Sequence, residues 1–263
     1  NSKYVVKYFS GGLTAEVFKL KINDKYWTLK KKRNEILVKN IDGQTSFLNE
    51  VQRRKDFMKL KKNNPVDFEG IVDTIYASKN KGIILSPWIE GVEINRYNET
   101  ILENIFKTLY NMEIAGIFEY DLCAGNIVID EEDNIKLYDF GYAYRFDPLN
   151  EYNSDGKEFP MCHAAERLES RNLMQHLLDI EENIGIKKAL CIFEMEKKIA
   201  IKYYRKKHKY LLENNADKDV IIWIENIINL WEKSLKNNES LKELYEIESF
   251  RSYVLDQNED IEG

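Results

Sequence analysis

Two neighbouring stretches decide how the chain reads. The first is Asp121-Leu122-Cys123-Ala124-Gly125-Asn126-Ile127-Val128-Ile129, and the second is Ile135-Lys136-Leu137-Tyr138-Asp139-Phe140-Gly141, with the turn Glu131-Glu132-Asp133-Asn134 between them. The β-branched runs at 127–129 and 135–138 predict two short strands flanking that turn. Asp121 and Asn126 are five residues apart in a loop that enters a strand, so both can face one cleft. Asp139 follows the next strand.

Upstream, residues 4–38 read as strands. Tyr4–Phe9 alternates, Ser10-Gly11-Gly12 turns, Val17–Ile22 alternates apolar and basic, Asn23-Asp24 is a hairpin signal, and Lys25–Lys30 is a third strand. This is an antiparallel meander. A helix follows, with Ser46 as the expected N-cap and Phe47, Leu48, Val51, Met58 and Leu60 as a partial apolar face; Asn63-Asn64-Pro65 ends it. Ile71–Tyr76 and Gly82–Leu85 predict two more strands, the second running into Pro87-Trp88-Ile89-Glu90-Gly91. From about Thr100 the period becomes helical, with Ile101, Leu102, Ile105, Leu109 and Met112 on one face. Beyond Arg167 it is helical to about Leu255, and the tail 256–263 is expected to fray. The expected class is α+β and bilobal: a small antiparallel β-rich lobe over 1–90 and a mostly helical lobe over 91–263.

Composition narrows the function. The 263 residues are 43% hydrophobic and 12% aromatic, which excludes a disordered chain. Lys+Arg number 39 against Asp+Glu 45, a net charge of -6, which argues against a nucleic-acid partner. Cys123, Cys162 and Cys191 form no C-x-x-C pair, and with three His they predict neither a disulfide framework nor a structural zinc site. A reducing compartment, the cytoplasm, is expected. No run approaches the ~18 apolar residues of a transmembrane segment, and the first residues carry no signal-peptide pattern.

In order along the chain come the Gly-containing turn Ser10–Ala15, Lys30 closing Trp27-Thr28-Leu29-Lys30, and Glu50 twenty residues on. Asp121 with Asn126, Asp139-Phe140-Gly141 and Ala164-Ala165-Glu166 follow. This series resembles the protein-kinase superfamily over roughly residues 4–170. The resemblance implies a kinase-like fold and ATP-dependent phosphoryl transfer with Mg²⁺, or Mn²⁺ as the alternative. It implies that Gly11 and Gly12 approach the phosphates and that Lys30 holds them, oriented by Glu50. Asp121 is then the base or orienting group, and Asn126 and Asp139 hold the metal. Pro87 and Ile89 would contact adenine, Ser86 would be a small gatekeeper opening a back pocket, and Glu93 would meet the ribose. The residues themselves leave Lys31 as a competitor of Lys30 and Glu35 as a fallback for Glu50.

The departures also carry meaning. Two glycines stand where the pattern has three. Glu119-Tyr120-Asp121 replaces His-Arg-Asp, so no Arg awaits an activation-segment phosphate, and activity independent of such phosphorylation is expected. Cys123 replaces a Lys, leaving one phosphate cation missing. Asp179 is a poor match for the pattern's later helix Asp. Asp-x-x-x-Gly-Asn is also similar to aminoglycoside and other small-molecule kinases. The segment His163–Glu169 is similar to small kinase-like effectors that bacteria deliver into host cells, which implies a Ser/Thr protein kinase with a protein substrate and a host cytosol as the alternative location. A small-molecule acceptor (sugar, lipid headgroup or antibiotic), a catalytically inactive binding module, and AMP transfer remain as alternatives. The basic stretch 197–209 reads as a solvated amphipathic helix or a docking face for an acidic partner, His176 as a core histidine, and Trp223, Ile227, Leu230 and Trp231 as core.

Overall fold

The computed structural model describes the backbone of residues 2–262 and the side chains of residues 2–255. Strands β1 (Val5–Phe9), β2 (Ala15–Ile22) and β3 (Lys25–Lys32) form the expected meander. Asn23 and Asp24 both take positive φ, 49° and 58°, as a two-residue hairpin turn of matching twist requires. Strands β4 (Tyr76–Ser78) and β5 (Ile83–Pro87) complete an antiparallel sheet of order β1-β2-β3-β5-β4. The register sets Lys30 opposite Ile84 and Thr28 opposite Ser86.

Helix α1 (Ile41–Asn63) packs on this sheet, where Phe47 and Val51 meet Ala15 and Ile84 in a small core. It begins earlier than expected. Asn40, not Ser46, is the N-cap and accepts from the Gly43 N–H; Ser46 lies a turn inside, buried, and donates to the Gly43 carbonyl. The expected apolar face is also displaced. Met58 is exposed, and the inward face is Phe47, Glu50, Val51, Arg54 and Phe57, two of them charged. The strand expected over 71–76 forms later, as β4 from Tyr76, and upstream of it Ile71 makes an isolated parallel bridge to Leu137.

The chain then leaves the sheet through Gly91, whose φ is 148° and where a Cβ would stand 2.4 Å from the Ile129 carbonyl oxygen. Only glycine lets β6 (Val92–Glu93) lie so close to β8 (Ile127–Ile129). With β9 (Ile135–Leu137) these form a second sheet of order β6-β8-β9, while β7 (Ile117–Glu119) pairs with β10 (Ala143–Arg145). Around them pack α2 (Glu99–Ile114), α3 (Ala164–Leu168), a π-helical turn (Glu169–Leu173), α4 (Met174–Asn183), α5 (Ile186–Glu213), α6 (Lys218–Ser234) and α7 (Asn238–Glu262). One large apolar core joins them and reaches up to Phe57 of α1. The fold is α+β and bilobal, of the protein-kinase-like kind. The side chains of the tail expected to fray lie outside the described residues.

Three expectations for the helical lobe change. Leu230 is exposed, although Trp223 and Trp231 are core. His176 is half-buried against the Tyr97 ring, 5.1 Å away. The stretch 197–209 is not one solvated face. Lys207 is buried against Glu113 at 3.0 Å, and Lys197 is wholly buried between Glu169 (2.5 Å) and Glu196 (3.3 Å). The exposed Lys198, Lys202, Arg205 and Lys209 pair with carboxylates of the chain itself.

Lys197 belongs to a buried cluster in which Glu169, Glu196 and Glu248 are paired with Lys197 and Arg251. Burial, with like charge from Glu169, pushes Glu196 up to about 8 and Glu248 up to about 7. A carboxyl whose folded value is raised holds its proton better folded than unfolded, so stability is greatest below about pH 4.5 as far as these groups go and is lost as pH climbs to about 8. The Tm should therefore fall between pH 6 and pH 8.5, and Glu196→Gln should remove a large part of that fall; scanning calorimetry of both proteins across this range checks it.

Candidate active site

Strand alternation sends Lys30 inward and Lys31 outward. Lys30 is 6% exposed, whereas Lys31 lies at the surface 3.5 Å from Glu16. Glu35 is in the exposed loop after β3 and takes no part. The Lys30 ammonium donates to Glu50 Oε2 and to Asp139 Oδ2, both at 2.7 Å. Glu50 is held from its other oxygen, where Oε1 accepts from Arg54 Nε (3.1 Å) and Nη2 (3.0 Å). Arg54 also donates to the Tyr138 carbonyl and lies over the Phe140 ring, 5.2 Å from its centre. Asn49 donates to the carbonyls of Gly141 (2.9 Å) and Ala143 (2.8 Å), and Phe57 packs on Phe140 at 4.7 Å. One face of α1 thus grips the whole Tyr138–Ala143 segment.

The charges of this cluster depend on one another. Burial alone would lower the Lys30 pKa, but the carboxylates of Asp139 and Glu50 outweigh it and the ammonium is held above its ordinary value. Burial pulls Asp139 upward, yet Lys30 and the Gly141 N–H bring it below the usual carboxylate range. Glu50 stays raised, because burial and Asp139 outweigh Lys30 and Arg54.

The second half of the site is built on the loop after β7. Asn126 Nδ2 donates to the Asp121 carbonyl (3.0 Å) and to Asp121 Oδ2 (2.9 Å), while Arg171 Nη2 lies 3.4 Å from Oδ1. The Asp121 N–H donates to Glu119 Oε1 at 2.9 Å. Glu119 is buried in the place of the pattern's His, and burial holds its carboxyl well above the ordinary range. The Tyr138 N–H donates to the Asn126 carbonyl at 3.3 Å and so couples the two halves. Lys30, Glu50, Asp139, Asn126 and Asp121 therefore form one connected constellation.

A divalent cation fits this donor set. Both amide-hydrogen contacts of Asn126 go to Asp121, which leaves its carbonyl oxygen as the end for a metal. Asp139 adds a carboxylate of lowered pKa. Among the described residues no three His, Cys, Asp or Glu side chains form a metal cage by themselves. Two protein oxygens completed by phosphate and water oxygens are what Mg²⁺ commonly takes.

The remaining assignments are less uniform. Gly12 has its carbonyl held by Arg33 Nε at 2.8 Å, and a Cβ there would lie 2.4 Å from the Ala15 carbonyl oxygen, whereas Gly11 has open space. The turn is thus tied to the chain after β3. Pro87 and Ile89 flank Trp88, whose N–H donates to the Tyr26 carbonyl; all three line a cavity of about 260 Å³ shared with Val72, Val128 and Lys136. Ser86 is buried, but Arg54 Nη1 lies 3.5 Å from its hydroxyl. The space behind the small residue is therefore filled by a guanidinium, which corrects the expected open back pocket. Glu93 is exposed in β6 opposite Val128. Asp179 is exposed and bonds Gln175 within α4.

Sequence reasoning missed four contributors. Arg54 was readable as the i+4 partner of Glu50 on one helix. Asn49, Tyr120 and Arg171 act across 92, 35 and 50 residues, and no local pattern marks such partners. Tyr120, in the place of the pattern's Arg, donates to Asp155 Oδ2 at 2.6 Å and lies 2.9 Å from the Ser154 hydroxyl. It ties down the segment between Asp139 and Ala164 without a phosphate. His163 then caps α3, its Nδ1 accepting from the Glu166 N–H, and Glu166 pairs in burial with Arg167.

Among known families, the ABC1 atypical kinase-like domain matches residues 13–153, more than half of the chain and every residue of the constellation. No curated protein matches the chain.

If the site turns over Mg-ATP, as the resemblance implies, Asp139→Asn should lower that turnover by orders of magnitude while the circular dichroism spectrum is kept, because a charge that would face the metal is lost. Lys30→Ala should depress turnover far more than Tm. Parallel loss of both would mark the lysine as structural only.

Proposed function

The chain belongs to the ABC1 atypical kinase-like family, and we propose that it is a Mg²⁺-ATP-dependent phosphotransferase acting on a Ser or Thr hydroxyl of a protein. The observation that carries this reading is the pair of 2.7 Å contacts from Lys30 to Glu50 and Asp139, coupled through Tyr138 to Asn126 and Asp121. On this reading residues 1–90 hold the nucleotide, with Gly11, Gly12 and Lys30 on the phosphates and Pro87 and Ile89 on the base. Residues 91–263 carry the catalytic loop and the acceptor. Lys30, released by Asp139, turns to the phosphate oxygens while Glu50 keeps it oriented. Asn126 and Asp139 hold the divalent cation, which when bound neutralises phosphate charge. Asp121 orients the hydroxyl and takes up its proton. Positioning and charge neutralisation suffice for this chemistry, since the transition state is loose and needs no covalent help.

The acceptor reading rests on the surroundings of Asp121. A cleft of about 940 Å³, open to solvent, is lined by Asp121, Tyr120, Tyr142, Arg171 and, from the other lobe, Leu13 and Val38. An open groove of that size accommodates an extended peptide. The Asp121-x-x-x-Gly125-Asn126 spacing favours a second reading, a small-molecule acceptor, on the same machinery. Cytoplasmic action, or action in the cytosol of a host cell, accords with a chain of only three cysteines, Cys123, Cys162 and Cys191, with no C-x-x-C pair among them. Among the described residues no helix is long and apolar enough to cross a membrane.

Incubation of a cell lysate with the protein and γ-labelled ATP, followed by mass spectrometry, tests the reading against Asp139→Asn as control. Phosphate on Ser or Thr of proteins is expected. Label confined to small molecules moves the assignment to the second reading, AMP on the acceptor replaces phosphate transfer, and no label in either protein leaves a binding module. Because Tyr120 and Asp155 order the activation segment, phosphatase-treated protein with no phosphate between Tyr142 and His163 should keep its full rate; a collapse of turnover on treatment would contradict this.

A further inference from the structure

Cys123 stands two residues after Asp121, where the kinase pattern has a cation. Burial, followed by the negative charge of Asp121, pushes its thiol up to about 12, so it is neutral at any working pH. The catalytic loop therefore supplies no positive charge of its own on the acceptor side of the site. The structure brings one from elsewhere. Arg171 Nη2 lies 3.4 Å from Asp121 Oδ1, while Asn126 holds Oδ2 from the opposite side. Arg171 is partly exposed and lines the same 940 Å³ cleft as Asp121.

The backbone around Arg171 is irregular in a way that fits such a task. Residues Glu169–Leu173 form a π-helical turn between α3 and α4, and single π-turns inside helical runs concentrate at functional sites. The wider turn is anchored from behind. Glu169, wholly buried, accepts from Lys197 at 2.5 Å and lies 3.5 Å from Arg251 of α7; Asn172 and Leu173 are buried as well. Arg171 is thus presented to the cleft from a fixed base. A guanidinium also suits the position better than an ammonium, since its fork can bind a carboxylate and a phosphoryl oxygen together.

We propose that Arg171 is the missing cation: a positioning residue that fixes Asp121 toward the acceptor and neutralises charge on the phosphoryl group in transit. This deepens the phosphotransferase reading above and rests on it. In the step, the acceptor oxygen forms a bond to the γ-phosphorus as the bond to the β,γ-bridging oxygen breaks. ADP leaves with that electron pair, and the hydroxyl proton passes to Asp121. Arg171 accepts and releases nothing; it holds one partner and stabilises the other.

The test uses the full chain, Mg-ATP, and water as acceptor, with released inorganic phosphate measured for wild type, Arg171→Ala and Arg171→Lys. Binding of a fluorescent ATP analogue and Tm are measured on the same samples. Arg171→Ala should keep nucleotide affinity within about two-fold and lose about 100-fold in kcat, the scale seen when one transition-state donor is removed. Arg171→Lys should recover at least ten-fold of that loss. Guanidinium ion, added below denaturing concentration, should raise the rate of Arg171→Ala and leave wild type unchanged. An Arg171→Ala rate within about three-fold of wild type overturns the proposal and spares the phosphotransferase reading. So does a lost rate that neither Lys nor guanidinium restores and that falls together with Tm. A wild-type chain that does not turn over Mg-ATP overturns both.

Discussion

The Lys30 ammonium is held at 2.7 Å by two carboxylates from different parts of the chain, and most of the site's geometry follows from it. Glu50 comes from α1 and Asp139 from the end of β9, so this single group joins the sheet, the helix and the helical lobe. Burial pulls the lysine toward neutrality, and the two carboxylates outweigh it and keep it charged. The arrangement is also poised for exchange. On the proposed function, phosphate oxygens would take the place of Asp139 on Lys30, and Asp139 with Asn126 would hold the divalent cation. The ion pair is weak evidence for stability, because burying Lys30 and Glu50 and half-burying Asp139 is costly. On the proposed function it is the resting form of a nucleotide site.

Much of this was legible in the sequence because Lys30 lies in a strand and Asp121, Asn126 and Asp139 lie close to strand ends. A strand fixes inside and outside by alternation, so Lys30 separates from Lys31 once the register is known. Asp121, Asn126 and Asp139 lie within 19 residues of one another around one hairpin, and short separations constrain space. The meander and its Asn23-Asp24 turn were readable for the same reason: their chemistry is local.

The errors have a common physical source. On α1, hydrophobic periodicity points to Met58 and Leu60, yet the buried face carries Glu50 and Arg54. Charges that face inward with partners from other elements look, in sequence, like a solvated face. The same holds for Lys197 and Lys207 of α5, which read as part of a basic surface and are instead paired in the core. Ser86 suggested an empty pocket because the guanidinium that fills it comes from a helix 32 residues earlier. Ion pairing across long sequence separations hides polar groups from any reading based on period.

If Lys30, Asn126 and Asp139 form a nucleotide site, the most direct measurement is a crystal structure with Mg²⁺ and a non-hydrolysable ATP analogue. The account predicts the triphosphate between the Gly11-Gly12 turn and Asp139, with Lys30 on phosphate oxygens, still bonded to Glu50, and a metal on Asn126 and Asp139. A nucleotide bound elsewhere, or crystals at saturating analogue with the Lys30–Asp139 contact intact and no nucleotide beside it, would contradict the account.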